Sequence, residues 1–328
     1  MDFAYFQVVR ICNQKCIFCA QPSNGRIESL KKIQERIDWY KDQGYEGIIL
    51  NGGEPTLHKE IVNIIKYTAQ KGIYSKMISN GINFSNAELA KACVDAGLKQ
   101  IHISFHSYIP EVENNLMRGD VYEKQLKGLL NMLLHKNKID VWVNIVMNQY
   151  TIRHLDKTVL FFLKLGVRNF VINNLEVTGV YPEYLEKLLF RLKEAEEPLK
   201  KALHLIRKYG NIARVSRIPM CYLRGFEDYS RDIEYYILHT KKYIHYLNDD
   251  KHPKQSDFVS DEVSWQSGEG SPTGMRRSRT ENCSHCDLRH MCSGYDLLDF
   301  FPGEDPLIRQ KVDNEEMQTI LNNILGKK

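Results

Sequence analysis

The feature that most limits the fold of this chain is the alternation of two hydrophobic rhythms between residues 3 and 175. Short apolar runs at 3–11, 47–50, 74–79, 100–105, 140–147 and 169–173 read as strands. Between them, residues 28–42, 61–70, 87–96, 121–134 and 154–165 carry apolar side chains at helical spacing. Gly44, Gly72, Gly97 and Gly166 fall just after helices, where a left-handed cap is wanted. Strands that alternate with helices in this way form βα units around a parallel sheet. The class is therefore α/β, either a partial barrel or an open doubly wound sheet. In both, the loops after the strand C-termini build the active site.

The rhythm changes near residue 180, which divides the chain into an expected first domain, 1–180, and a second, 181–328. Pro182 opens a long charged helix, 183–208, that contains Pro198, so a kink or a split is expected there. Residues 211–218 read as a strand. Residues 249–282 are rich in Ser, Gly and Asp and read as a mobile loop, and 314–325 read as a closing helix.

Charge narrows the partners. The 45 basic and 41 acidic residues give +4, too small an excess to argue for nucleic acid or an anionic membrane. No apolar stretch approaches the roughly 20 residues that span a bilayer, and the first ten residues lack a secretory pattern. A cytoplasmic location is expected, where thiols stay reduced. Eight cysteines there are better explained by metal than by disulfides. Cys93, alone on a helix beside Leu89, reads as a small buried hydrophobe instead.

Three of the cysteines, Cys12, Cys16 and Cys19, crowd into the loop after the first strand. Soft thiolates select zinc, Cu(I) or iron–sulfur. Three ligands leave a structural zinc site one short, unless a distant residue completes it. A [4Fe–4S] cubane on three cysteines keeps one iron open for an exogenous ligand, which makes it a site for chemistry.

The segment CNQKCIFC resembles the CxxxCxΦC motif of radical S-adenosylmethionine (SAM) enzymes, with Phe18 at the aromatic position. Gly52, Gly53, Glu54 and Pro55, after the second strand, resemble the family's GGEP motif, whose Glu and backbone hold the SAM ammonium group. The resemblance spans roughly residues 3–175 and implies further SAM contacts. These are Ser79 and Asn80 after the third strand, Ser104 and His106 at and beyond the fourth, Arg118 for the SAM carboxylate, and Asn144 on the fifth. Each has a plainer reading: helix caps for Ser79, Asn80 and Ser104, a loop cap for His106, a surface charge for Arg118. The fold implied is a partial (β/α)6 barrel. The chemistry implied is reductive cleavage of SAM to a 5′-deoxyadenosyl radical that abstracts hydrogen from substrate, with flavodoxin or ferredoxin as electron donor. A mere electron carrier would need no SAM ammonium site.

A second group comprises Cys221, Cys283, Cys286 and Cys292. Four thiolates fully ligate a [4Fe–4S] cluster. The x2 and x5 spacings resemble the core of the SPASM and twitch extensions, and Asp296 stands where a full SPASM core continues with cysteine. The resemblance thus implies a small C-terminal twitch-like domain with one auxiliary cluster, two clusters in all. A zinc knot, with His285 or His290 as substitute ligand, and an iron cluster left open by omission of Cys221 are the alternatives. The substrate expected is a peptide, lying along 249–282 and the 183–208 helix. Residues 1–11 leave no room for a leader-binding domain, so a separate leader-binding protein would serve. A small-molecule dehydrogenase or cofactor-biosynthesis enzyme is the alternative.

Overall fold

The computed structural model describes residues 3–19, 23–176, 180 and 182–231, together with Cys283, Cys286 and Cys292. The expected 249–282 loop, the 314–325 helix, His285 and His290 lie outside the described residues. By compactness the chain forms two units. One is Met1–Ile145 with Lys157–Phe170 and Gly179–Leu185; the other is Val146–Asp156 with Val171–Thr178 and Glu186–Lys328.

Seven strands form one sheet in the order of the chain: β1 (Phe3–Val9), β2 (Gly47–Gly52), β3 (Tyr74–Ser79), β4 (Gln100–Ser104), β5 (Asp140–Val146), β6 (Asn169–Asn173) and β7 (Ile212–Ser216). The sheet is parallel, and one row of partners, Tyr5–Ile49–Lys76–Gln100–Asp140, runs unbroken across β1 to β5. The first six strands are those expected. The seventh joins the sheet from 211–218, within the expected second domain. Its place beside β6 is held by the Asn174 N–H, which donates to Ser216 O at 3.1 Å.

Strand order decides between the two expected architectures. When every strand sits beside its sequence neighbour, right-handed crossovers place all connecting helices on one face. A doubly wound sheet would need both faces apolar. Here one face presents Phe6, Leu50, Met77, Ile103 and Val143, all fully buried. Phe6 meets Tyr40 of α1 (Leu30–Asp42) at 6.1 Å between ring centroids. The opposite face carries Gln7, Asn51, Lys76, His102 and Trp142 at alternating positions. The result is the barrel-type arrangement.

The connecting helices are α2 (Ile61–Gln70), α3 (Ala87–Asp95), α4 (Pro110–Met117), α5 (Tyr122–Leu133) and α6 (Leu155–Leu165). The four cap glycines all take positive φ, from 68° to 107°. Helix α4 was not anticipated, although Pro110 at its first turn with Glu111 and Glu113 behind it is good helix-start chemistry. Beyond the barrel the expected long helix is two: α7 (Pro182–Leu188) and α8 (Leu192–Lys208). The break falls at 189–191, where Leu188 O accepts from the Gln149 N–H at 2.9 Å and Phe190 is buried. Pro198 lies inside α8 without ending it. Among the described residues no helix is long and apolar enough to cross a membrane.

Candidate active site

The loop that carries Cys12, Cys16 and Cys19 is secured from two sides. On one side it meets the loop after β2. Val9 O accepts from the Gly53 N–H at 2.9 Å, and Ile11 O accepts from the Glu54 N–H at 2.8 Å. This approach leaves no room for a side chain. A Cβ on Gly52 would lie 1.9 Å from Val9 O, and one on Gly53 would lie 2.0 Å from Ile11 O. On the other side the loop meets the C-terminus of α4, whose last carbonyls lack helical partners. Leu116 O accepts from the Ile17 N–H at 2.9 Å, and Met117 O from the Lys15 N–H at 3.4 Å. The Cys16 thiol points to Met117 Sδ at 3.2 Å.

Glu54 is 1% exposed. Its Oε1 accepts from the Thr56 N–H (3.1 Å), the Thr56 hydroxyl (2.6 Å) and the Ser79 hydroxyl (2.9 Å), while Oε2 accepts from the Asn80 N–H (2.7 Å). Burial pushes the carboxyl above its usual range, and these donors pull it back only in part. The GGEP-like loop and the end of β3 are thereby tied through one side chain. Pro55 opens the short turn Pro55–Leu57, capped by Glu54 itself. Asn80 reaches back to the cysteine loop, donating to Asn13 Oδ1 at 2.7 Å and lying 3.8 Å from Cys12 Sγ.

The fourth strand end is organised from helices. Gln125 Nε2 on α5 donates to Asn80 O and Ser104 O, each at 3.1 Å. His106 is buried, its ring edge-on to Phe18 with centroids 4.8 Å apart. Burial lowers its imidazole to about 3, so it is neutral at physiological pH. Asn144, on β5, accepts from the Phe105 N–H through its carbonyl at 3.1 Å.

Arg118 follows Met117, whose sulfur meets Cys16. It caps α4 in the left-handed conformation, φ 55°, with its guanidinium 5.6 Å from the Tyr184 ring centroid. Cys221 lies on the short turn Met220–Leu223, and the Cys286 N–H donates to Cys283 O at 3.2 Å. Among the described residues no three His, Cys, Asp or Glu side chains close around a point that would hold a lone metal ion.

The triplet thiols are chemically suited to a cluster. Burial raises Cys12 and raises Cys16 strongly, with the neighbouring thiols adding to both. With Cys12 and Cys16 held toward the protonated form, deprotonation accompanies metal binding. Three soft donors on a loop fixed at both flanks fit a [4Fe–4S] cluster with one open iron. Glu113, Gln125, Met117 and the polar face of the sheet were missed from sequence. The last had a signal: QIHIS alternates polar and apolar residues inside a parallel sheet, where continuous apolar runs are the rule.

The radical SAM superfamily model matches residues 6–162. Probable GTP 3′,8-cyclases are similar. That of Saccharolobus islandicus is 28% identical over 203 residues, covering 59% of this chain and 63% of the relative. That of Sulfurisphaera tokodaii is 26% identical over 200 residues, covering 60% and 61%. The chain thus spans about three fifths of the length of these curated relatives. Among solved structures, native anSMEcpe with bound AdoMet superposes with a TM-score of 0.62 at 15% identity, covering 99% of this chain and 97% of that one. Streptococcus suis SuiB bound to precursor peptide SuiA gives 0.59 at 15%, covering 94% and 74%. At such identities the structural likeness is one of fold. Strand order, the cysteine loop and the sequence match agree: residues 6–162 are a radical SAM superfamily domain.

Proposed function

We propose that this radical SAM enzyme holds a [4Fe–4S] cluster on Cys12, Cys16 and Cys19 and uses SAM to abstract hydrogen from a small polar molecule, a nucleotide being the first candidate. The observation that carries the reading is the cysteine loop pinned between Gly52–Gly53–Glu54 and the last carbonyls of α4. When bound, cluster and SAM supply one-electron cleavage of a sulfonium and an organic radical. The chain supplies placement. Glu54 keeps the β2 and β3 loops in register for the SAM amino-acid end, with Ser79, Asn80, Ser104, Arg118 and Asn144 as its further contacts. Neutral His106 and Phe18 offer an uncharged wall.

Two observations favour a small polar substrate over the peptide first expected. The similar curated proteins are named for a nucleotide cyclisation, and the sheet face opposite Phe6 and Leu50 carries the hydrogen-bonding side chains of Gln7, Asn51, Lys76 and His102. Peptide modification is the second reading, because the same fold in SuiB holds a precursor peptide. A separate leader-binding protein belongs to that reading only. In both, Cys221, Cys283, Cys286 and Cys292 hold an auxiliary cluster, and flavodoxin or ferredoxin delivers the electron.

Anaerobic reconstitution with SAM and dithionite tests this directly. The expected result is 5′-deoxyadenosine and about eight irons per chain, falling to about four in a Cys283→Ala/Cys286→Ala variant. Deuterium passing from labelled GTP or another nucleotide into 5′-deoxyadenosine supports the small-molecule reading. Transfer only from a peptide overturns it, and unchanged iron in the variant removes the auxiliary cluster.

A further inference from the structure

Between the first two cysteines of the loop, Gln14 contributes groups of opposite kind. Its backbone N–H donates to Cys12 Sγ at 3.4 Å. Its side-chain Oε1 accepts from the Cys16 thiol, also at 3.4 Å. Its Nε2 is sealed from solvent and has no hydrogen-bond partner. The Cys16 thiol meets a second acceptor, Met117 Sδ, at 3.2 Å. The two thiols thus keep different company. Cys12 is met by N–H donors from Gln14 and Asn80, Cys16 by an amide oxygen and a thioether.

That company suits a thiol and not a thiolate. A metal-ligating cysteine has lost its proton, and the lone pairs of both neighbours then face an anion. Met117 Sδ has no hydrogen to offer. The end of α4 is tied down as well. Leu116 O and Met117 O hold the Ile17 and Lys15 N–H groups. One turn earlier, Glu113 is fully buried and accepts the His106 and Ser107 N–H groups, each at 2.9 Å. Gln14 does have a donor, and a half-turn of its amide puts Nε2 where Oε1 now lies. The exchange leaves a carbonyl oxygen in the sealed place, where an orphaned N–H is the rarer occupant.

We propose that Gln14 turns its side-chain amide when Cys16 ligates iron and donates an N–H···S hydrogen bond to that sulfur. The inference rests on the reading that Cys12, Cys16 and Cys19 hold the cluster, and it applies to either substrate. A donor to a ligating sulfur stabilises the extra negative charge of the reduced state. The bond therefore raises the reduction potential. Acting through Cys16, Gln14 is a positioning residue for electron uptake.

The test uses the full chain, reconstituted anaerobically with iron and sulfide and with its glutamine side-chain amides labelled with 15N. The Cys283→Ala/Cys286→Ala background leaves the cluster on Cys12, Cys16 and Cys19 as the source of signal. Pulsed electron paramagnetic resonance of the reduced chain, without SAM, is expected to show a 15N hyperfine coupling that disappears in Gln14→Leu. Gln14→Leu is also expected to keep about four irons and to have a lower midpoint potential than its parent. A coupling that is absent, or that survives the substitution, overturns the proposal, as does a potential unchanged or raised. Should the leucine chain load no iron, Gln14→Glu, equal in size but without the N–H, takes its place with the same outcomes. A parent chain that binds no iron refutes the cluster reading itself. An iron-loaded parent without the coupling refutes the Gln14 bond alone.

Discussion

A Gly52→Ala chain is expected to lose on the order of 4 kcal/mol of stability and to load little iron. The figure combines ~1–3 kcal/mol for a strained backbone with ~1–3 kcal/mol for forced overpacking. Gly52 has φ 131°, a region closed to other residues, and its added methyl would meet a carbonyl oxygen, not a yielding side chain. The oxygen belongs to Val9, three residues before Cys12. Relief of the clash therefore displaces the loop that carries the first thiolate. Gly72→Ala separates the two causes, because its φ is 68° but its Cβ would enter open space. That variant is expected to cost only about 1–2 kcal/mol and to keep its iron. Urea midpoints and iron counts on both chains check the prediction. Equal losses would mean that the close approach to β1 is unimportant.

Glu54→Ala is expected to be more damaging still. It removes the acceptor for four donors, the N–H and hydroxyl of Thr56, the Ser79 hydroxyl and the Asn80 N–H. An unmade buried hydrogen bond costs about 1–3 kcal/mol. Even with partial relaxation the loss is on the order of 5 kcal/mol, comparable to the whole stability of a marginal domain. Glu54→Gln retains an oxygen for Thr56 and Ser79 but turns an amide toward the Asn80 N–H, so about 2 kcal/mol is expected. Thermal melts of the two variants, alongside soluble yield, give the ranking. An alanine chain that melts with wild type would show that Glu54 does not tie these loops together.

The barrel was legible because its βα units are punctuated. Residues 61–70, 74–79 and 169–173 were read to the residue, and glycine caps mark the helix ends. Where punctuation is weak, the reading slipped. Helix α4 is short and hides behind Pro110, and the break before α8 comes from tertiary contacts of Leu188 and Phe190 that no local pattern announces. The cysteine triplet and GGEP-like loop were visible because their chemistry is written in residue types. Glu113 and Gln125 were not, since a polar residue on a short helix looks like surface until the fold encloses it. The polar sheet face shows in the alternation of QIHIS alone.

The central claim is that the Cys12, Cys16 and Cys19 loop holds a cubane with one iron free for SAM. Electron paramagnetic resonance of the reduced Cys283→Ala/Cys286→Ala chain, recorded before and after adding SAM, addresses it alone. A [4Fe–4S] signal whose g-values move on addition is the predicted result. A colourless chain that carries zinc, or a signal indifferent to SAM, would contradict it.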